Sequence, residues 1–127
     1  MLRIKVLLLV ALWIPLAGAA DSIAGTWRGE SLCTSKPSAC HDETVIYRFA
    51  SVSGKPNTFS LSADKVVDGQ AVNMGTLEFR YIENEHALVC DAPQGTWRFT
   101  IDGDKITGTL TRPDHTLFRR VAVRKDP

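Results

Sequence analysis

The side chains best suited to chemistry are three cysteines, Cys33, Cys40 and Cys90, with His41 and Asp42 directly after the second of them. A Cys–His nucleophile pair needs a free thiol of lowered pKa and nearby donors for an oxyanion. No nucleophile elbow, phosphate-binding loop or His-Glu-x-x-His segment accompanies these residues. We therefore predict a protein that is not an enzyme and that uses no metal or cofactor.

The odd number of cysteines permits one intramolecular disulfide and leaves one thiol over. A bridge between Cys33 and Cys40 closes a short loop and is the predicted pairing. A bridge from either of them to Cys90 is the alternative. Disulfides persist in oxidising compartments outside the cytoplasm, so this prediction depends on export.

The first twenty residues have the pattern of a cleaved signal peptide. Arg3 and Lys5 precede an apolar run, residues 6–14, and small residues lead to Ala20. The run is shorter than the roughly 20 residues that span a bilayer. We predict removal of residues 1–20, an exported protein (periplasmic or extracellular) without a stable membrane anchor, and a single domain over residues 21–127.

The charge balance of the predicted mature chain argues against a nucleic-acid partner. Removing Arg3 and Lys5 leaves 13 basic residues against 14 acidic ones, a net charge of −1. Binding to phosphates requires a concentrated basic surface, and the sequence contains no block of like charge.

Apolar and polar residues alternate with the period of a half-buried strand along most of the chain after residue 20. Phe59, Leu61 and Ala63, for example, share one face of their run. Turn signals such as Asp68-Gly69 and Asp102-Gly103 separate the runs. Strands are predicted at residues 23–30, 43–50, 57–67, 70–82, 86–90, 95–101, 104–111 and 116–124.

About eight short strands joined by tight turns favour an all-β fold, an antiparallel up-and-down β-barrel, which removes exposed sheet edges. A β-sandwich is the alternative, although its crossovers need longer connections than this chain provides. In a meander, alternate connections lie on one rim. That rim is predicted to hold Cys33, Cys40, Cys90, His41, Asp42, Asp91, Asp114 and His115.

Gly25 and Trp27 match the Gly-x-Trp motif of the first strand in lipocalins, and the chain resembles a small calycin-type barrel. The resemblance implies that Trp27 closes one end of the barrel, with Gly25 beside it, and that an Arg from near the chain's end packs across the indole. It also implies a lumen that holds a small molecule. Small exported inhibitors of proteases and lysozymes are similar in shape.

Arg119 is the most informative charged residue, because alternation with Leu117, Val121 and Val123 directs it inward. An inward guanidinium requires a partner. Three interpretations are open: a stack on Trp27, a clamp for a ligand carboxylate as the resemblance to fatty-acid-binding barrels implies, or a shifted register with Arg120 inside.

Five aromatic residues are predicted to share the inward face, either as core or as the wall of a pocket. With Arg119 they form the predicted ligand-binding set: Phe59, Phe79, Tyr81, Trp97 and Phe99. The expected function is to bind a small apolar or amphipathic molecule in the lumen. The alternatives are a rim that binds a protein, as hydrolase inhibitors do, and an envelope protein without a ligand.

Overall fold

The computed structural model describes residues 22–35 and 39–127. Eight antiparallel strands close into a barrel in chain order, which confirms the predicted up-and-down architecture. The strands are β1 (Gly25–Cys33), β2 (Glu43–Ser51), β3 (Thr58–Val67), β4 (Gln70–Ile82), β5 (Ala87–Ala92), β6 (Gly95–Asp102), β7 (Lys105–Thr111) and β8 (Leu117–Lys125). The predicted signal peptide, residues 1–20, lies outside the described residues. Within the described ranges, no helix is both long and apolar enough to cross a membrane.

The largest difference from the predicted strands is at β1, which continues to Cys33 rather than ending at residue 30. The extension follows from barrel closure, because β8 pairs with β1 as far as the register pair Cys33 and Arg119. The Asp68-Gly69 turn is confirmed, with φ of 51° and 78°. The turn between β6 and β7 was predicted one residue early, at Asp102-Gly103. In the structure Asp102 pairs with Lys105, and the turn residues are 103–104.

Four aromatic rings in mutual contact fill the middle of the barrel. We call them the aromatic floor: Tyr47, Phe49, Phe79 and Phe99. The Phe99 ring lies stacked between Phe79, at a centroid distance of 5.1 Å, and Tyr47, at 5.8 Å. Phe49 packs edge-on against Phe79 and Phe99. The Phe99 ring occupies the space above Gly108, where a Cβ would lie 2.1 Å from Phe99 Cδ1. Gly108 is therefore required by the close approach of the ring.

Trp27 is fully buried, and its Nε1 donates to the carbonyl of Ile23 over 2.9 Å. The expected stack of Arg119 on this indole is wrong: Lys125 pairs with Trp27 in the register, and its Nζ lies 5.7 Å from the ring centroid. Arg119 pairs instead with Cys33, six residues along the strand, which is about 20 Å at 3.3 Å per residue.

We expect Trp27→Ala to lower the free energy of unfolding by about 3–5 kcal/mol, because it empties a fully buried site and removes a hydrogen bond. Val72→Ala, on a half-exposed side chain, is the control and should stay within about 0.5 kcal/mol of wild type. Urea denaturation measures both. A loss for Trp27→Ala no greater than that of the control would show that Trp27 is not a structural plug.

A β-bulge in β4 is held by a polar network centred on Asp64. Ala63 pairs with Gly75 and Asp64 with Asn73, so Met74 is the extra residue. The carboxylate of Asp64 accepts from Arg48 Nη1 at 2.7 Å and from Asn73 Nδ2 at 3.0 Å. Asn73 also accepts from the backbone N–H of Gly75. The network therefore joins β2, β3 and β4 at the bulge.

Hydrogen bonds from Arg48 and Asn73 lower the pKa of Asp64 below its ordinary value of 3.8. A carboxyl pKa that is lower in the folded state than in the unfolded state stabilises the fold at pH values above the unfolded pKa. This stabilisation is lost as the pH falls through the folded pKa. We expect Asp64→Asn to be less stable than wild type at neutral pH and to show a smaller loss on acidification. Urea denaturation over an acid pH series tests this, with Asp104→Asn on an exposed carboxylate as the control. Equal acid dependence in wild type and Asp64→Asn would contradict the assignment.

Candidate functional site

The barrel interior is not filled between the aromatic floor and the rim formed by the β1–β2, β3–β4, β5–β6 and β7–β8 connections. A cavity of about 370 Å³ lies there, within the range of small-molecule sites. Its larger apolar wall residues are Leu61, Met74, Leu77, Trp97, Phe99, Leu110 and Phe118. Its polar wall residues are Ser31, Glu43, Tyr47, Thr76, Gln94 and Arg119. This combination, mostly apolar with a few polar groups, is typical of a binding pocket.

Arg119 faces inward, as predicted, and its guanidinium is held by hydrogen bonds to two neighbouring segments of the protein. Nη1 donates to the backbone carbonyl and the hydroxyl of Ser31, both at 3.3 Å, and Nη2 donates to the carbonyl of His41 at 3.0 Å. Nη2 also lies 3.6 Å from Glu43 Oε1. The two charged side chains are only 12% and 21% exposed. The cavity therefore contains a balanced pair of charges.

Tyr47 connects this charge pair to the aromatic floor. Burial raises the pKa of its hydroxyl well above the usual range, the Glu43 carboxylate raises it further, and Arg119 opposes the shift. The hydroxyl therefore stays protonated at every physiological pH. It supplies a neutral group that both donates and accepts hydrogen bonds.

Of the six predicted ligand-binding residues, the structure places Arg119, Trp97 and Phe99 in the cavity wall. Phe59, Phe79 and Tyr81 lie in the buried cluster outside that wall.

The Trp97 indole N–H is buried and has no hydrogen-bond partner within the described part of the chain. Leaving such a donor unpaired costs about 1–3 kcal/mol. Trp97 thus differs from Trp27, whose N–H is tied to a backbone carbonyl.

A second bulge, in β8, changes which side chain reaches the cavity. Leu110 pairs with Arg119 and Thr111 with Leu117, so Phe118 is the extra residue. Leu117 was predicted to share the inward face of Arg119, but it is Phe118 that lines the cavity. The Arg112 guanidinium lies over the Phe118 ring, 4.2 Å from the ring centroid.

The backbone ladder between β4 and β5 is the shortest in the barrel. These strands pair only from Arg80 with Val89 to Ile82 with Ala87. If the ladder continued in the same register, Glu78 and Asp91 would be directly opposite, and like charges in that position are unfavourable. Each is satisfied elsewhere: Glu78 by Lys55 at 3.3 Å, and Asp91 by the Thr96 hydroxyl at 2.8 Å. Met74–Leu77, which lie in the part of β4 that does not pair with β5, line the cavity.

The predicted Cys33–Cys40 disulfide is confirmed, with a Cα–Cα distance of 6.2 Å. The N–H of Cys33 donates to the Asp42 carboxylate at 2.8 Å, which fixes the end of the loop. Cys90 is free and lies buried in the core cluster. Burial raises the pKa of its thiol, and the Asp91 carboxylate raises it further.

A second cavity of about 390 Å³ lies beside the first, under the disulfide loop. Five of its eight wall residues are polar or charged, among them His41, Asp42 and Lys65, and Glu43 and Arg119 line both cavities. In the part of the chain that is described, no three or more His, Cys, Asp or Glu residues are grouped to hold a metal ion. The first cavity is therefore the better candidate for a small molecule.

The sequence interpretation did not include Glu43 and Tyr47 among the candidate site residues, although the alternation of β2 could have placed both on the inward face. They alternate with Val45 and Phe49 on the inward face of β2. Ser31 likewise has the same parity as Trp27 on β1. Met74 and Phe118 had no such signal, because each is the extra residue of a bulge.

A scan of the chain against protein-family models and a search of curated proteins found no match.

We expect the native protein to contain one disulfide and one thiol that alkylates only after unfolding. Burial and a raised pKa keep Cys90 in its unreactive protonated form. Iodoacetamide labelling of native and denatured protein, followed by non-reducing peptide mapping, tests both points. Rapid labelling of Cys90 in the native state, or a mapped bridge that includes it, would contradict this arrangement.

Proposed function

We propose that this chain is an exported, calycin-like barrel that binds a small apolar or amphipathic molecule in the cavity above its aromatic floor. The observation that carries the proposal is the cavity itself, because a barrel of eight strands can be completely filled by its own side chains. Here the rings of the aromatic floor and Trp27 are packed in the core, whereas the part of the interior next to the rim retains a cavity of about 370 Å³.

The composition of the wall supports an apolar ligand body. Trp97 and Phe99 provide aromatic surface, and Leu61, Leu77 and Leu110 provide aliphatic surface. Burial of such a ligand removes apolar area from water at about 25 cal/mol per Å².

Export is supported by the disulfide, since disulfides are rare in reducing compartments. The same Cys33–Cys40 bridge ties down the longest rim connection, which is the observation that favours the alternative function, binding of a protein at the rim. The two functions differ in whether the cavity is used, and this difference can be measured.

The experiment is a titration with the neutral fluorescent dye N-phenyl-1-naphthylamine. We expect wild type to bind it with a Kd of roughly 10 µM, which corresponds to about 7 kcal/mol. Ala63→Phe fills the cavity from its wall and should weaken binding by about tenfold or more. Ala122→Phe makes the same change on the outer, exposed face of β8 and should leave binding unchanged.

Thermal melts of the three proteins establish that each is folded. If the dye does not bind wild type, or if both Phe variants bind as wild type does, the cavity is not a binding site. The rim would then become the leading candidate.

A further inference from the structure

We infer that the polar end of the ligand is a neutral group that both donates and accepts hydrogen bonds, such as an alcohol or a primary amide, and that Glu43 excludes carboxylates. This inference rests on the proposed function and names the ligand class for the same cavity. It replaces the expectation that Arg119 clamps a ligand carboxylate.

The first argument is that the positive charge in the cavity is already compensated. Arg119 has Glu43 at 3.6 Å and donates to the oxygens of Ser31 and His41. A ligand carboxylate that approached Arg119 would come within a few ångströms of the Glu43 carboxylate. Both side chains are mostly shielded from solvent, so water screens that repulsion poorly.

The second argument is that the cavity offers a ligand both hydrogen-bond donors and hydrogen-bond acceptors. The Glu43 carboxylate only accepts hydrogen bonds, and the Arg119 guanidinium only donates them. Tyr47 lines the same cavity, and a tyrosine hydroxyl does both. An alcohol satisfies Glu43 with its O–H and receives a donor from Arg119 or Tyr47. A carboxylate has no hydrogen to give to Glu43.

Glu43 is therefore a specificity-determining residue that acts by repulsion, a common means of rejecting a competing ligand. Removing its charge without changing its shape should reverse the preference. In Glu43→Gln, Arg119 loses its compensating charge and becomes available to an anion as a charge-assisted hydrogen-bond donor.

The test uses 1-decanol and decanoate, which share a chain length and differ in the polar end, as competitors of the neutral dye at neutral pH. We expect wild type to bind decanol about tenfold more tightly than decanoate. Glu43→Gln should bind decanoate about tenfold more tightly than wild type does and should lose a few-fold in decanol affinity. Glu30→Gln makes the same charge change on an exposed position of β1, so it controls for net charge and should preserve the wild-type preference.

Wild type that prefers decanoate, or a Glu43→Gln protein with an unchanged ratio, overturns the inference while the cavity remains a binding site. Wild type that binds neither the dye nor decanol overturns both the inference and the proposed function. If Glu43→Gln does not fold in a thermal melt, the ratio measured on wild type still decides between an alcohol and a carboxylate.

Discussion

The antiparallel pairing of β1 with β8 determines which chemical groups occupy each end of the barrel. Its register places Lys125 beside Trp27 at one end and Arg119 beside Cys33 at the other. A shift of one residue would turn Arg119 outward, because side chains alternate between the two faces of a strand. The charge pair, the cavity wall and the anchor of the disulfide loop all depend on this single closure.

The interior that results has a packed part and a part that contains a cavity. Stacked rings around Phe99 fill the middle, and close packing of this kind leaves little tolerance for change of volume. The half next to the rim is lined by residues that are only partly buried, such as Trp97 and Leu77. The packed part is therefore the less tolerant of a change in side-chain volume.

Much of this fold follows from local sequence patterns. Alternation located all eight strands, and the Asp68-Gly69 pair located a hairpin, because strand period and turn geometry are properties of a few adjacent residues. The Cys33–Cys40 bridge followed from spacing and an odd count. The partner of Arg119 did not follow, because the register that closes a barrel joins segments at opposite ends of the chain.

Bulges and strand ends limited the prediction of the site in a different way. One extra residue at Met74 or Phe118 reverses the parity on which an alternation argument depends. Glu43 had the correct parity and lay within the predicted strand 43–50, but a charged residue at the first position of a strand is ordinarily expected to face solvent. The arrangement of the cavity thus depended on irregularities of the strands and on strand ends.

The short ladder between β4 and β5 bears on the rate at which a ligand would exchange under the proposed function. The stretch without β4–β5 pairing lies in the side of the barrel, so a ligand that left there would not have to displace the disulfide-bridged loop. Glu78 and Asp91, which flank this stretch, are exposed and do not line the cavity. Under the proposed function, substitutions along this stretch would change the rates of entry and exit together, whereas substitutions in the cavity wall would change the affinity.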